Sequence, residues 1–388
     1  LLFLISGFLV MLMAAGFCML ESGMVTSKSV STIAAKNIGL YSIAGLMFWV
    51  IGYNVAYGIP EGGYIGSFTP WSDASAIDTG YSDGSDWFFQ MVFCATTVSI
   101  VSGTLAERIK IWPFFLFAAI LTGIIYPIEM GWQWGGGWLS AAGFSDFAGS
   151  TLVHAAGGAA ALAGAIVLGP RLGRFSNGKL VPFASSSIPL ATLGTFILWF
   201  GWFGFNGGSQ LALAGFENAT AVATIYINTN LAACAGVMTC AVITRLINGK
   251  TDVIMMLNGA LGGLVAITAE PLTPTPLMAI IIGSIGGIIV ILGTQALNKF
   301  QIDDVVGAIP VHLFAGIWGT LAVPLTNSGT SFGPQLLGTA SICAFVFVVS
   351  FIVWSIMKAT IGIRISEEAE KEGTDIAETG VTAYAIRD

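Results

Sequence analysis

Charge is what this sequence has least of: Asp, Glu, Lys and Arg make up 9% of its 388 residues, against about 25% in soluble domains. That scarcity excludes an ordinary water-facing surface, and the 55% hydrophobic content places the chain in lipid. Histidine occurs twice, at His154 and His312. The five cysteines (Cys18, Cys94, Cys234, Cys240 and Cys343) fall in apolar segments without metal-ligand or paired-loop spacing, so no disulfide framework, metal centre or cofactor is expected, and they read as small core residues. No Gly-x-Ser-x-Gly elbow or His-paired Cys in a polar setting is present, so the chain is not read as an enzyme. Gly135-Gly136-Gly137 lacks a Lys-Ser/Thr ending and reads as a turn, not a phosphate loop. A formal net charge of -7 offers no basic surface for nucleic acid. Residues 1–20 lack a basic leader and read as a spanning helix rather than a signal peptide.

What is present is long apolar segments. A spanning helix needs about 20 apolar residues, and eleven segments qualify, near 1–24, 37–58, 87–106, 111–131, 149–169, 187–208, 220–246, 252–269, 275–297, 305–326 and 335–361. All 14 Lys and Arg lie at or beyond the ends of odd-numbered segments: Lys28 and Lys36, then Arg108 and Lys110, then Arg171, Arg174 and Lys179. Arg245 and Lys250 stand so at the seventh, Lys299 at the ninth, and Lys358, Arg364, Lys371 and Arg387 at the last. The even-numbered loops hold acids only, among them Glu61, Asp73, Asp78, Asp83, Asp86 and Glu217. The positive-inside rule then sets the N-terminus outside and the C-terminus inside. The expected fold is an all-α polytopic membrane protein of eleven transmembrane helices.

The two histidines stand in matching contexts. The first stretch reads Asp146, Gly149, Val153, His154 and Gly158; the second reads Asp304, Gly307, Val311, His312 and Gly316, at the same five offsets. They fall in the fifth and tenth segments, so the repeat unit has five helices, and an odd unit must invert its copy. The expected layout is a transmembrane domain over 1–361, with pseudo-repeats at about 1–169 and 187–326 and an extra helix at 335–361. A cytoplasmic tail follows over 362–388, and its acidic run from Glu367 to Glu378 reads as a solvated extension. Asp146 is expected toward the outside, Asp304 toward the inside, and both histidines near the midplane.

An ionisable side chain inside a membrane is costly and usually faces the bundle interior. A lone intramembrane histidine is explained equally well by a bond to a neighbouring helix, but two at equivalent repeat positions favour a shared axial site. Imidazole suits a conduction path because each ring nitrogen can donate or accept. Metal ligation needs three or four ligands, and no further His or Cys falls at supporting spacing. Most of the 26 phenylalanines must be packing or lipid-facing. Position singles out Phe89 and Phe93 in the outer part of the third helix, Trp134 at the outer end of the fourth, and Trp202, Phe205 and Ser209 near the outer end of the sixth. Ring faces and a hydroxyl there could hold a cation, at about 0.5–2 kcal/mol per ring; an interfacial aromatic belt explains them as well.

The chain resembles the ammonium transporter (Amt/Mep/Rh) family from residue 1 to about 384. The resemblance rests on Ala15-Gly-Phe-Cys-Met-Leu-Glu21-Ser-Gly23, Gly103-Thr-Leu-Ala-Glu107-Arg108, Asp146 through His154, Gly201-Trp-Phe-Gly-Phe205-Asn206, and Ile361-Gly-Ile-Arg364 with Glu372-Gly373. It implies eleven helices with an inverted five-plus-five repeat, a homotrimer with one pore per subunit, and a multi-pass place in the cell (inner or plasma) membrane. By resemblance, Phe93, Trp134 and Ser209 match an outer ammonium-recruitment site. Phe93 and Phe205 match the rings closing the pore mouth, Trp202 a pore-wall residue, and His154 and His312 the twin histidines. Asp146 matches a structural and electrostatic acid near the recruitment site, and Phe89 supports the same wall. The tail reads Glu378-Thr-Gly-Val-Thr-Ala-Tyr384 where many members carry a His-Gly-Glu type sequence. The implied function is transport of ammonium or ammonia with external recruitment, deprotonation and a twin-histidine relay. The alternative the resemblance leaves open is an ammonium sensor of the same fold, coupled to a cytoplasmic nitrogen-signalling protein or a fused signalling domain.

Overall fold

The computed structural model describes residues 1–74 and 80–384. Asp78 and Arg387, which entered the charge pattern, lie outside the described residues. Helices form wherever the apolar runs occur. Among the described residues, nine are long and apolar enough to cross a membrane: α1 (Leu2–Met24), α2 (Val30–Tyr57), α3 (Asp83–Thr104), α4 (Ile111–Gly131), α5 (Ser150–Leu168), α6 (Ile188–Gly208), α7 (Phe216–Asn248), α9 (Pro276–Lys299) and α11 (Phe332–Thr360). Two shorter apolar helices, α8 (Val253–Ile267) and α10 (Ile309–Leu325), complete the set that the eleven segments anticipate. Starts are marked by side-chain caps: Ser82 accepts from Ser85 N, Ser187 from Leu190 N, Asp252 from Met255 N and Thr275 from Met278 N.

Burial separates the centre of the bundle from its lipid face. In α3 and α5, 89% of the apolar window is buried within the protein, against 28% in α2, α7 and α11, so the first two line the core. α1 and α6 lie backbone against backbone: a Cβ on Gly194 would stand 2.3 Å from Leu20 N, which only glycine permits. Two charge assignments change. Lys36 sits inside α2 and is 1% exposed rather than in a loop, because the helix starts at Val30. Asp86 belongs to the first turns of α3 and is buried. Cys94 and Cys240 are buried as expected, whereas Cys234 is exposed on α7.

At one end of the bundle the connections are bound by charge. Burial pushes the Asp303 carboxyl up, but hydrogen bonds from Arg171 and the Arg108 and Arg171 charges outweigh it and hold it well below the usual carboxylate range. Arg171 also donates to Glu107, which accepts from Thr26 N at 2.9 Å. Burial lowers Arg108 to about 10 despite the nearby Asp303. The loop after α5 closes as a hairpin of β1 (Phe175–Ser176) and β2 (Lys179–Leu180).

The tail is docked through Glu370, Asp375 and Glu378, while Glu367, Glu368 and Glu372 are exposed as the solvated reading expects. After α11 it forms α12 (Glu367–Glu372), and two of the acids that follow meet helix N-termini, where free N–H groups favour negative charge. Asp375 accepts from Thr32 N in the first turn of α2 at 2.8 Å, and Glu378 from Ile111 N of α4 at 2.8 Å. Glu370 accepts from Leu172 N and from Arg364.

Candidate functional site

The two repeated stretches fold alike. Asp146 is fully buried ahead of α5, and its carboxylate accepts from four backbone N–H groups: Gly149 at 3.0, Ser150 at 2.9, Thr151 at 2.7 and Leu152 at 2.9 Å. Burial raises its carboxyl above the ordinary range, and these four donors pull it only part of the way back. Asp304 does the same ahead of α10, accepting from Gly307 N at 3.2 Å, Ile309 N at 2.7 Å and the Thr104 hydroxyl at 3.0 Å. Gly149 and Gly307 turn the chain at φ 109° and 79°, where an L side chain is strained. Both helices then open with a widened π turn, Ser150–Ala155 and Ile309–Phe314, each carrying its histidine.

The fifth repeated residue brings the turns together. A Cβ on Gly158 would lie 2.5 Å from Leu313 N, and one on Gly316 would lie 2.4 Å from Ser150 O. Each helix therefore presses a glycine onto the other's histidine-bearing turn. The result is a direct His154 Nδ1···His312 Nδ1 contact of 3.1 Å, with the rings 5.2 Å apart at 22°. One ring must donate and the other accept, so the two are opposite tautomers sharing a proton. His154 Nε2 is buried without a partner. The His154 ring stacks on Trp202 at 4.9 Å and 17°, and Trp202 is fixed by its Nε1 donating to Thr268 Oγ1 at 2.8 Å.

On the Asp146 side, a recess of about 240 Å³ is lined by Phe93, Trp134 and Ser209 together with Phe89. Phe93 floors it and stacks on Phe205 at 3.9 Å and 25°; Phe205 in turn lies 5.3 Å from the His154 ring. Ser209 donates to Phe205 O at 2.9 Å, leaving its oxygen lone pairs free. Trp134 Nε1 donates to Asp146 O at 3.0 Å, tying the recess wall to the capping turn. Phe89, Phe93, Trp134 and Ser209 thus line the recess, Phe205 and Trp202 lie against His154, and Asp146 is tied to the recess wall through Trp134. Sequence reasoning missed Tyr53, whose hydroxyl donates to Asp86 at 2.7 Å, and both line the recess. The signal was available: Asp86, Phe89 and Phe93 stand at i, i+3 and i+7 on one helix face.

On the other side of the pair, a chamber of about 10 Å³, room for one water-sized molecule, is bounded by Phe17, Glu21, Ser99, Asn258, Gly307 and His312. Asn258, Val306 and Gly307 also border a recess of about 520 Å³ that reaches Arg171, Arg174 and Asp304. A polar recess, a closed aromatic stack, a proton-sharing pair, a one-molecule chamber and a second recess therefore follow one another. Such a series suits a small hydrogen-bonding solute.

The comparisons agree. A model of the Ammonium Transporter Family matches residues 1–384. Ammonium transporter Amt2 of Archaeoglobus fulgidus is 42% identical over 98% of this chain and 87% of its own length. A putative ammonium transporter of Synechocystis is 40% identical over 97% of this chain and 87% of its own length. Among solved structures, a protein described as Sensor Amt Protein aligns with a TM-score of 0.91 at 34% identity, covering 97% of each chain. Mep2 of Candida albicans aligns with a TM-score of 0.85 at 27% identity, covering 98% of this chain and 89% of that one. With that match and these helices, the chain is a multi-pass membrane protein and belongs to the Ammonium Transporter Family.

Proposed function

We propose that this chain conducts ammonium nitrogen through the passage on which His154 and His312 meet. The observation that carries the reading is their 3.1 Å contact, buried directly beyond the Phe93–Phe205 stack. The positive-inside rule puts the Asp304 end, with Arg108, Arg171 and Arg174, in the cytoplasm and the Trp134 recess outside. All eleven helices then span, and the halves bearing Asp146 and Asp304 are inverted copies. Ring faces of Phe93 and Trp134 with the Ser209 oxygen recruit the cation. An intact ion would pay several kcal/mol in the apolar segment, so ammonium gives up its proton below the recess and ammonia crosses. The histidine pair hydrogen-bonds ammonia and passes the proton separately. The homotrimer implied by the resemblance belongs to the same proposal and is read from the mass of the solubilised particle.

The test is an ammonium pulse on proteoliposomes adsorbed to a supported membrane. Wild type should give a transient current, and the His154→Leu/His312→Leu double variant, checked for folding by its thermal unfolding, should give none. An undiminished current in the folded double variant refutes the relay, and urea flux in wild type refutes ammonium selectivity. A second reading, sensing, is favoured by the likeness to the structure described as Sensor Amt Protein. Saturable ammonium binding without current would select it.

A further inference from the structure

We propose that Glu21 is a second ammonium site, on the His312 side of the pair, where the ion is held after it re-forms and before it leaves. The proposal rests on the transport reading and extends it to a residue that reading does not use. Phe17 and Glu21 are one helical turn apart on α1 and both bound the one-molecule chamber. The Phe17 ring lies 6.2 Å from the His312 ring, so the turn of α1 that carries Phe17 and Glu21 faces the same chamber as His312. Glu21 is 1% exposed. Its Oε2 accepts from the Ser102 hydroxyl at 2.8 Å and from Asn37 Nδ2 at 3.3 Å, while Oε1 is buried with no partner.

A carboxylate at this depth is neutralised by a proton or by a paired cation. The Lys36 charge acts on Glu21, but its ammonium donates to Ser102 O at 2.7 Å and not to the carboxylate, so Oε1 stays without a hydrogen-bond partner. Ser99, also on the chamber wall, donates its own proton to Ala95 O at 2.9 Å and so presents only lone pairs. The chamber therefore offers acceptors and one negative charge, in a volume that fits one molecule of water size. That is the complement of a small cation with N–H donors on every side. Ammonia that has passed the pair combines with the proton handed on through His312 to give ammonium, and Oε1 accepts one of its four N–H groups. No bond to Glu21 forms, and the ion leaves past Asn258 into the larger recess.

The test compares the two faces. Proteoliposomes are sorted by orientation, and ammonium is presented to the Trp134 face or to the Arg108 face while current is recorded. Glu21→Gln should raise the half-maximal concentration at the Arg108 face about tenfold, as expected for loss of one charged hydrogen-bond partner. At the Trp134 face it should stay within about twofold. An unchanged value at the Arg108 face, or an equal change at both faces, overturns the proposal. Should Glu21→Gln fail to fold because Lys36 is left uncompensated, Glu21→Gln/Lys36→Met removes both charges and is held to the same criterion. If that pair also fails to fold, the carboxylate serves folding and the proposal is overturned. A wild type without current would instead sink the transport reading itself.

Discussion

Asp146→Asn tests whether the cap before α5 sets the histidine pair. The ionised carboxylate has lone pairs for all four N–H groups it receives, two on each oxygen. An amide keeps one oxygen and turns an NH2 toward two of those donors. Each orphaned buried N–H costs about 1–3 kcal/mol, so two of them put the loss at about 2–6 kcal/mol. Function should fall with stability, because His154 N bonds Gly149 O at 3.0 Å and Trp134 hangs on Asp146 O. Asp304→Asn is the internal comparison: the bonds that Asp304 accepts from Gly307 N, at 3.2 Å, and from the Thr104 hydroxyl, at 3.0 Å, are longer than those at Asp146 or come from a group that can rotate to another acceptor, so the loss should be smaller. Thermal unfolding of the solubilised protein ranks the three chains, and the ammonium-driven current of each is recorded in parallel. An Asp146→Asn variant within about 1 kcal/mol of wild type, with full current, would refute the reasoning, since two uncompensated N–H groups cannot cost so little.

Two further outcomes follow from the geometry. Gly158→Ala should destabilise by about 1–3 kcal/mol and reduce the current, because its methyl would meet Leu313 N at 2.5 Å and part the two helices; unfolding at or above the wild-type temperature, as helix propensity alone would give, counts against the crossing. Asp303 has a folded-state pKa below its unfolded one, so its ion network stabilises above the ordinary carboxylate value of about 4 and is lost as pH falls further. Unfolding temperatures should therefore drop in wild type on acidification below about pH 4, while Asp303→Asn should start lower at neutral pH and change less; parallel acid profiles would remove Asp303 from the network.

The spans were legible because lipid selects on length and apolarity, and both are written in the sequence without knowledge of partners. Lys36 was misplaced for the same reason. A charge beside an apolar run reads as a loop until the structure shows Ser102 O receiving its ammonium inside the bundle. Part of the acidic tail was misread because a run of Glu and Asp looks solvated, and only the fold shows free N–H groups of α2 and α4 waiting for it.

Which helix faces meet is the harder matter, and in lipid it cannot be read from polarity. In water an amphipathic stripe marks the buried face, but in a bilayer the buried and the lipid faces are both apolar, and packing of small residues decides instead. That makes the repeat more informative than its histidines alone. Asp146 and Asp304 cap, Gly149 and Gly307 turn, and Gly158 and Gly316 let α5 and α10 close. Each of those residues shapes the turns or the crossing at which two imidazoles stand 3.1 Å apart, and each recurs at the same offset. The duplicated pattern thus encodes a crossing as well as a pair of side chains. The stack of Phe205 on Phe93, by contrast, joins α3 to α6, a meeting that neither helix's own pattern announces.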